Sequence, residues 1–116
     1  MSHIVAYKNR GITRYLTVLN ALEEAIVPGS SDKLRVIISR TGQTTKLTVT
    51  SDAATANGSS LTKNSPESGK HTLRLDASDL NFEPGTYSFR FDYYDASDAA
   101  EWKNVDRQVF SLLEDE

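Results

Sequence analysis

The sequence contains no cysteine and only three prolines, six glycines and one tryptophan among its 116 residues. Without cysteine the chain can form neither disulfides nor thiolate sites, and this is typical of proteins made in a reducing cytoplasm. Hydrophobic runs are also short, and none approaches the roughly 20 residues that cross a bilayer. The first residues lack the long apolar segment of a secretory signal. We therefore expect synthesis in the cytoplasm and no membrane partner.

A surplus of positive charge is also missing, since 13 basic residues stand against 16 acidic ones for a formal charge of −3. A chain of this charge offers phosphates no electrostatic footprint, so nucleic acid is not expected as a partner. The hydrophobic share of 38% and the charged share of 25% are those of a globular protein. At roughly 150 residues per domain, this length predicts a single domain.

The dominant pattern is an alternation of apolar and polar residues with a period of two, which predicts β-strands. It is clearest over Gly85–Tyr94, where aromatic residues occupy every second position from Tyr87 to Tyr93. Further strands are predicted around residues 15–19, 34–38, 45–50, 72–77 and 105–113. About seven short strands separated by turns predict an all-β fold, a single antiparallel sandwich.

The N-terminus leaves two interpretations open. Residues 1–11 form either an extra strand or an N-terminal docking arm, ahead of a sandwich domain over residues 12–116. Ile4, Val5 and Tyr7 provide apolar side chains for either role.

A second open segment covers residues 51–70, where Leu61 is the only large apolar side chain. A structureless loop of this length is uncommon in a compact domain. Either residues 60–62 form a short edge strand, or the segment is a mobile or partner-contacting loop. Short helical turns are predicted at residues 76–80 and 20–26.

Motifs for catalysis and metal binding are not found. No G-x-S-x-G elbow accompanies His3 or His71, and His71 is expected to be solvated. Asp92, Asp95 and Asp98 are spaced by three but lack the pattern and the closing glutamate of a calcium loop, so a solvated turn is expected. The sequence therefore predicts no enzyme activity, no cofactor and no metal site.

One turn carries a resemblance. Phe82-Glu83-Pro84-Gly85-Thr86-Tyr87 resembles the turn into strand F of immunoglobulin-like sandwiches, with Tyr87 as the tyrosine corner. More widely, the run from Thr72 to Asp92, followed by Val109-Phe110-Ser111-Leu112, looks like the immunoglobulin-like modules of tailed-bacteriophage virion proteins.

The resemblance implies a structural particle protein that works through protein contacts. Its expected location is the virion, after synthesis in the bacterial host cytoplasm, as a capsid decoration or cement protein or as a head-tail or tail accessory. Its partners would be other virion proteins of the capsid or tail, and copies of itself. The alternative is a host-surface or glycan-binding immunoglobulin-like module of a tail or baseplate.

Charge is distributed unevenly along the chain. Residues 1–22 hold three basic residues and no acid, whereas residues 92–116 hold eight acids and two bases. Either both ends are simply solvated, or the basic arm docks on an acidic surface of another copy or another virion protein. On the second hypothesis, deleting residues 1–10 leaves the sandwich folded.

Tyr94 and Trp102 flank a polar loop and are a candidate aromatic contact pair. The candidate partner contacts are Ile4, Val5, Tyr7, Lys8, Arg10, Tyr94 and Trp102.

Overall fold

The structure is a computed structural model that describes residues 3–17, 32–40, 45–62, 70–94 and 102–114. Eight strands are present in these ranges, and a 3₁₀ turn, Ala77–Asp79, follows the sixth. In chain order the strands are β1 (His3–Tyr7), β2 (Ile12–Thr17), β3 (Lys33–Ser39), β4 (Thr45–Thr50), β5 (Ser60–Thr62), β6 (Lys70–Leu75), β7 (Gly85–Tyr94) and β8 (Trp102–Leu113).

The strands form two packed sheets. The large sheet has the order β1-β8-β7-β3-β4, and the small sheet has the order β2-β6-β5. All neighbouring pairs are antiparallel apart from β1 and β8, which run parallel. The prediction of an all-β, sandwich-like fold is confirmed, but with eight strands and one parallel pair among the described residues. Side-chain alternation defines the two faces of a strand and not its partner or direction, so the pattern could not give the parallel pair.

The inner faces of the two sheets enclose one hydrophobic core to which every strand contributes. The predicted aromatic face of β7 lies at its centre, and the Phe89 ring stacks on Phe110 with the ring centroids 6.4 Å apart. The buried apolar residues are Ile4, Ala6, Leu16, Leu34, Val36, Ile38, Leu47, Val49, Leu61, Leu73, Leu75, Leu80, Tyr87, Phe89, Phe91, Tyr93, Phe110 and Leu112.

The N-terminal segment is a strand of the large sheet. Its residues pair in parallel with β8, with Ile4 next to Phe110 and Ala6 next to Leu112. Ile4 is only 4% exposed and Ala6 is fully buried, so both belong to the core. Of the two alternatives left open by the sequence, residues 3–7 adopt the strand and do not extend as a free arm.

Two further segments can be compared with their predictions. The 3₁₀ turn Ala77–Asp79 lies within the predicted helical turn at residues 76–80. Ser60–Thr62 forms β5 at the edge of the small sheet, which is one of the two alternatives predicted for this stretch. Residues 63–69 lie outside the described ranges, as does the predicted helical turn at residues 20–26.

The expectation that His71 is solvated is wrong. The pairing of β6 with β2 sets His71 opposite Leu16, on the inner face that also carries Leu73 and Leu75. His71 is fully buried there. The alternation that identified Leu73 and Leu75 as core residues, continued back by one step of two, would have placed His71 beside them.

Candidate interaction surface

A β-bulge interrupts the outer face of the large sheet. Phe91 pairs with Asp106, but the next residue of β7, Asp92, pairs with Asn104, so Val105 is the extra residue of β8. A bulge twists the strands locally and redirects side chains, and bulges are frequent next to functional sites. Beyond this bulge the outward-facing side chains of β8 are those of Asn104 and Trp102.

The carboxylate of Asp92 lies at the bulge and is 2% exposed, although it belongs to the outer face. Its Oδ2 accepts hydrogen bonds from Arg35 Nη2 at 2.7 Å and from Arg90 Nε at 3.1 Å. Its Oδ1 accepts one from Asn104 Nδ2 at 3.2 Å. Two guanidinium groups and an amide therefore replace the water that a buried carboxylate loses.

This ion pairing corrects the expectation for the three aspartates spaced by three. Asp92 is not part of a solvated turn, because it lies within β7 and is covered by two arginines. Asp95 and Asp98 lie outside the described residues. In the described ranges, no group of three or more histidine, aspartate or glutamate side chains could hold a metal ion.

The predicted aromatic pair lies directly beside this ion cluster. Tyr94 and Trp102 are cross-strand neighbours, with ring centroids 5.3 Å apart, and both are half-buried. The guanidinium carbon of Arg35 lies 4.1 Å from the Trp102 ring centroid, and Lys33 Nζ lies 5.5 Å from that of Tyr94. Both distances are within the range of cation–π attraction.

A further arginine extends the cluster. Arg107 on β8 pairs directly with Arg90 on β7, and both face outward. Its Nε donates to Asn104 Oδ1 at 3.3 Å. We call the whole set the arginine–aromatic surface, and its members are Lys33, Arg35, Arg90, Asp92, Tyr94, Trp102, Asn104 and Arg107.

Sequence reasoning identified only the two aromatic members of this surface. The available signal was the polar half of the alternation, which assigns Arg35, Arg90 and Asp92 to outward faces. This alternation does not predict the register between strands. The register places Arg35 opposite Asp92 and Asp92 opposite Asn104.

The other predicted contact residues lie at the β1 edge of the large sheet. Val5 and Tyr7 point outward and are exposed, and so is Leu113, the β8 neighbour of Tyr7. Lys8 is half-exposed, and the exposed Arg10 places its guanidinium carbon 5.9 Å from the centroid of the Tyr7 ring. Ile4 is the exception, because it is in the core and is not accessible to a partner.

A histidine and a serine also meet on the β1 edge. His3 Nε2 and Ser111 Oγ are 2.7 Å apart on the exposed outer face. Nucleophilic catalysis needs two further features, which are a group that orients the histidine base and hydrogen-bond donors that stabilise the oxyanion. In the described part of the chain, no carboxylate forms a salt bridge with His3, so this pair lacks the third member of a triad.

Tyr87 lies where β7 begins and has the contacts of a tyrosine corner. Its hydroxyl donates to the carbonyl of Glu83 and accepts a hydrogen bond from Arg40 Nη2 at 3.2 Å. The Phe82 ring meets the Tyr87 ring edge to face, with centroids 5.0 Å apart. Gly85 has a φ of +156°, and a side chain at this position would clash with the Arg40 guanidinium.

The turn before β5 forms a separate polar cluster around Asp79. The Asp79 carboxylate accepts hydrogen bonds from Thr55 Oγ1 at 2.6 Å, from Asn57 Nδ2 at 2.9 Å and from Ser59 Oγ. Burial alone would raise the pKa of this carboxyl, but the hydrogen bonds from Ser59, Thr55 and Asn57 together outweigh burial and lower it. Since these contacts join the turn to the 3₁₀ segment, the cluster is structural.

Comparison with known proteins finds no matching family model and no matching curated relative. Within the described ranges, no helix has the length and hydrophobicity required to cross a bilayer.

Proposed function

We propose that this chain is a non-catalytic structural protein of a tailed-bacteriophage particle that acts through protein–protein contacts. The role would be capsid decoration or cementing, or that of a head-tail or tail accessory. Its partners would be other virion proteins and further copies of itself. No cofactor, nucleic acid or membrane is part of the proposal.

The order of the strands in the two sheets is the first support. In variable-type immunoglobulin domains, one sheet contains C′, C, F and G, and the other contains B, E and D. The orders β4-β3-β7-β8 and β2-β6-β5 match these two series strand for strand. Tyr87 then stands at the start of the strand-F equivalent, the position of the tyrosine corner. The assignment to a phage particle comes from the sequence resemblance, which spans roughly residues 15–113.

The observation that carries a contact function is the arginine–aromatic surface. Tryptophan, tyrosine and arginine are the residue types most enriched among the strongest contacts of protein interfaces. Tyr94, Trp102 and three arginines occupy adjacent strands on one outer face. A sandwich buries its inner faces, so an outer face with these residues is suited to a partner.

A glycan-binding role is the second candidate. Half-exposed aromatic rings beside polar side chains are the feature that favours it, and Tyr94 with Trp102 provides one such pair. Against it, the face of Trp102 is occupied by the Arg35 guanidinium.

The test is quantitative mass spectrometry of purified particles from the phage or prophage that encodes the chain. The proposal expects the protein at a fixed copy number per particle that survives density-gradient purification. A chain that is found only in the soluble fraction of the lysate contradicts the proposal.

Absence of catalysis is tested separately. The purified chain should not accelerate hydrolysis of p-nitrophenyl esters. Hydrolysis by the wild type that is lost in His3→Ala would contradict a non-catalytic role, because His3 and Ser111 are hydrogen-bonded.

A further inference from the structure

The arginine–aromatic surface has more positive charge than its own folding requires. Arg35 and Arg90 share the carboxylate of Asp92, whereas Arg107 reaches the side-chain amide of Asn104. Like charges placed directly opposite each other on neighbouring strands destabilise a sheet, and Arg90 faces Arg107 in this way. Arg107 at this position therefore lowers the stability of the free chain. The negative charge of an anionic partner would neutralise the repulsion between the two arginines, and this would favour binding.

From this arrangement we infer that the arginine–aromatic surface binds an acidic segment of a partner protein. Carboxylates of that segment would lie against Arg90 and Arg107, and its apolar side chains would pack on Tyr94 and on the part of the Trp102 ring that Arg35 leaves exposed. The inference rests on the proposed function, since it names the surface and the partner chemistry by which the chain would join a particle.

The surface is already arranged for such a ligand. Arg35 is held between the Asp92 carboxylate and the Trp102 ring, and Arg90 is held by the same carboxylate. Side chains that are fixed before binding lose less conformational entropy when the partner arrives. The planar guanidinium groups also match a carboxylate in a bidentate geometry that lysine cannot reproduce.

Acidic neighbours favour a short protein segment over a nucleic acid. The exposed carboxylate of Asp52 borders the cationic cluster 3.5 Å from Lys33, and the carboxylate of Asp92 lies within the cluster. A phosphate backbone that crossed the surface would meet these acids along its path, whereas a peptide can place individual carboxylates between them.

The experiment uses the only tryptophan of the chain as its probe. Trp102 lies in the surface, so its fluorescence reports binding there directly. The full-length chain is titrated with a hexaglutamate peptide, a hexagalacturonate and a hexathymidylate, at about 0.05 M and about 0.5 M salt. We expect a saturable change with hexaglutamate that is weaker at high salt, and weaker binding of the other two anions.

Matched variants distinguish binding at the arginine–aromatic surface from nonspecific electrostatic attraction to the chain. Arg107→Gln should raise the dissociation constant for hexaglutamate about fivefold, the effect of losing one partly exposed ion pair. Arg14→Gln removes the same charge from β2 of the small sheet and should leave the dissociation constant unchanged. Because Arg107→Gln also relieves the like-charge pair, its urea midpoint should equal or exceed that of the wild type.

Three results of the titration would overturn the inference. They are an absence of any change in Trp102 fluorescence with hexaglutamate, equal losses in Arg107→Gln and Arg14→Gln, and tighter binding of the uronate or the nucleotide. Particle occupancy separates this failure from failure of the proposed function. If wild type and Arg107→Gln enter particles equally, the inference fails and the proposed function stands. If the wild type is absent from particles, the proposed function fails, and the peptide titration alone decides the inference.

Discussion

The outer faces of the two sheets differ in chemistry, although both belong to one small sandwich. On the small sheet the outward row holds mainly hydroxyl side chains, Thr13, Thr72 and Thr62, with Tyr15 and Arg74 beside them. Such a face is an ordinary solvated surface of an antiparallel sheet. The large sheet instead bears the arginine–aromatic surface, with a buried aspartate and two arginines opposite each other.

The difference shows where this chain departs from the rules that stabilise a sheet. A buried charge, a bulge and a like-charge pair all occur within a few residues on β7 and β8. Natural proteins accept such local conflicts mainly at functional sites. The small sheet shows no like-charge pair in its described registers, and it needs no partner to explain its residues.

The largest expected effect concerns the edge of the large sheet. Ile4→Ala should lower the free energy of unfolding by about 2–4 kcal/mol, because it leaves a cavity in the core. Val5→Ala, one residue further along and facing outward, should change it by less than about 0.5 kcal/mol. Urea denaturation of both variants measures this contrast. Equal small effects would mean that residues 3–7 behave as a free arm.

The same reasoning replaces the expectation that the sandwich stays folded after residues 1–10 are deleted. Since that deletion removes β1 and two core side chains, the truncated chain should be strongly destabilised.

The next effect tests the buried aspartate of the large sheet. Asp92→Asn should cost about 2–3 kcal/mol, because two arginines lose the carboxylate that neutralises them. Asp52→Asn breaks the exposed pair with Lys33 and should cost less than about 1 kcal/mol. Thermal or urea unfolding of both variants measures the two losses of unfolding free energy. If the loss in Asp92→Asn is as small as that in Asp52→Asn, the ion cluster around Asp92 contributes nothing to the stability of the fold.

A smaller effect compares one tyrosine from each sheet. Tyr87→Phe should cost about 1 kcal/mol, since it removes a hydroxyl that bonds Glu83 and Arg40. Tyr15 is 69% exposed on the small sheet, so Tyr15→Phe should leave the urea midpoint unchanged. A midpoint for Tyr87→Phe that matches the wild type would refute a structural role for the corner hydroxyl.

The smallest effect concerns pH and the turn beside the small sheet. Because the folded-state pKa of Asp79 is lowered from its ordinary value of 3.8, its ionised form stabilises the native state. This contribution is fully present above pH 3.8 and is lost as the pH falls through the lower folded-state value. Urea midpoints of wild type and Asp79→Asn should therefore differ at about pH 7 and converge towards about pH 3. A difference that is constant over this range would contradict the assignment.

Much of the fold could be predicted from alternation alone. The bounds of β7 were predicted in full, and its aromatic face is the core face. The direction of β1 and the register that joins Arg35 to Asp92 could not be predicted, because both depend on contacts between residues distant in sequence. The bulge at Val105 changes which side chains of β8 face outward, and no local residue pattern marks it.

Hydroxyl-radical footprinting of the particle-bound chain, compared with the free chain, tests the partner surface most directly. Mass spectrometry of the oxidised peptides measures the solvent exposure of Trp102 on the outer face of the large sheet and of Tyr15 on that of the small sheet in one experiment. We predict that Trp102 is protected in the particle, while Tyr15 is oxidised as in the free chain. Protection of Tyr15 with unchanged oxidation of Trp102 would contradict the assignment of the large sheet as the contact face.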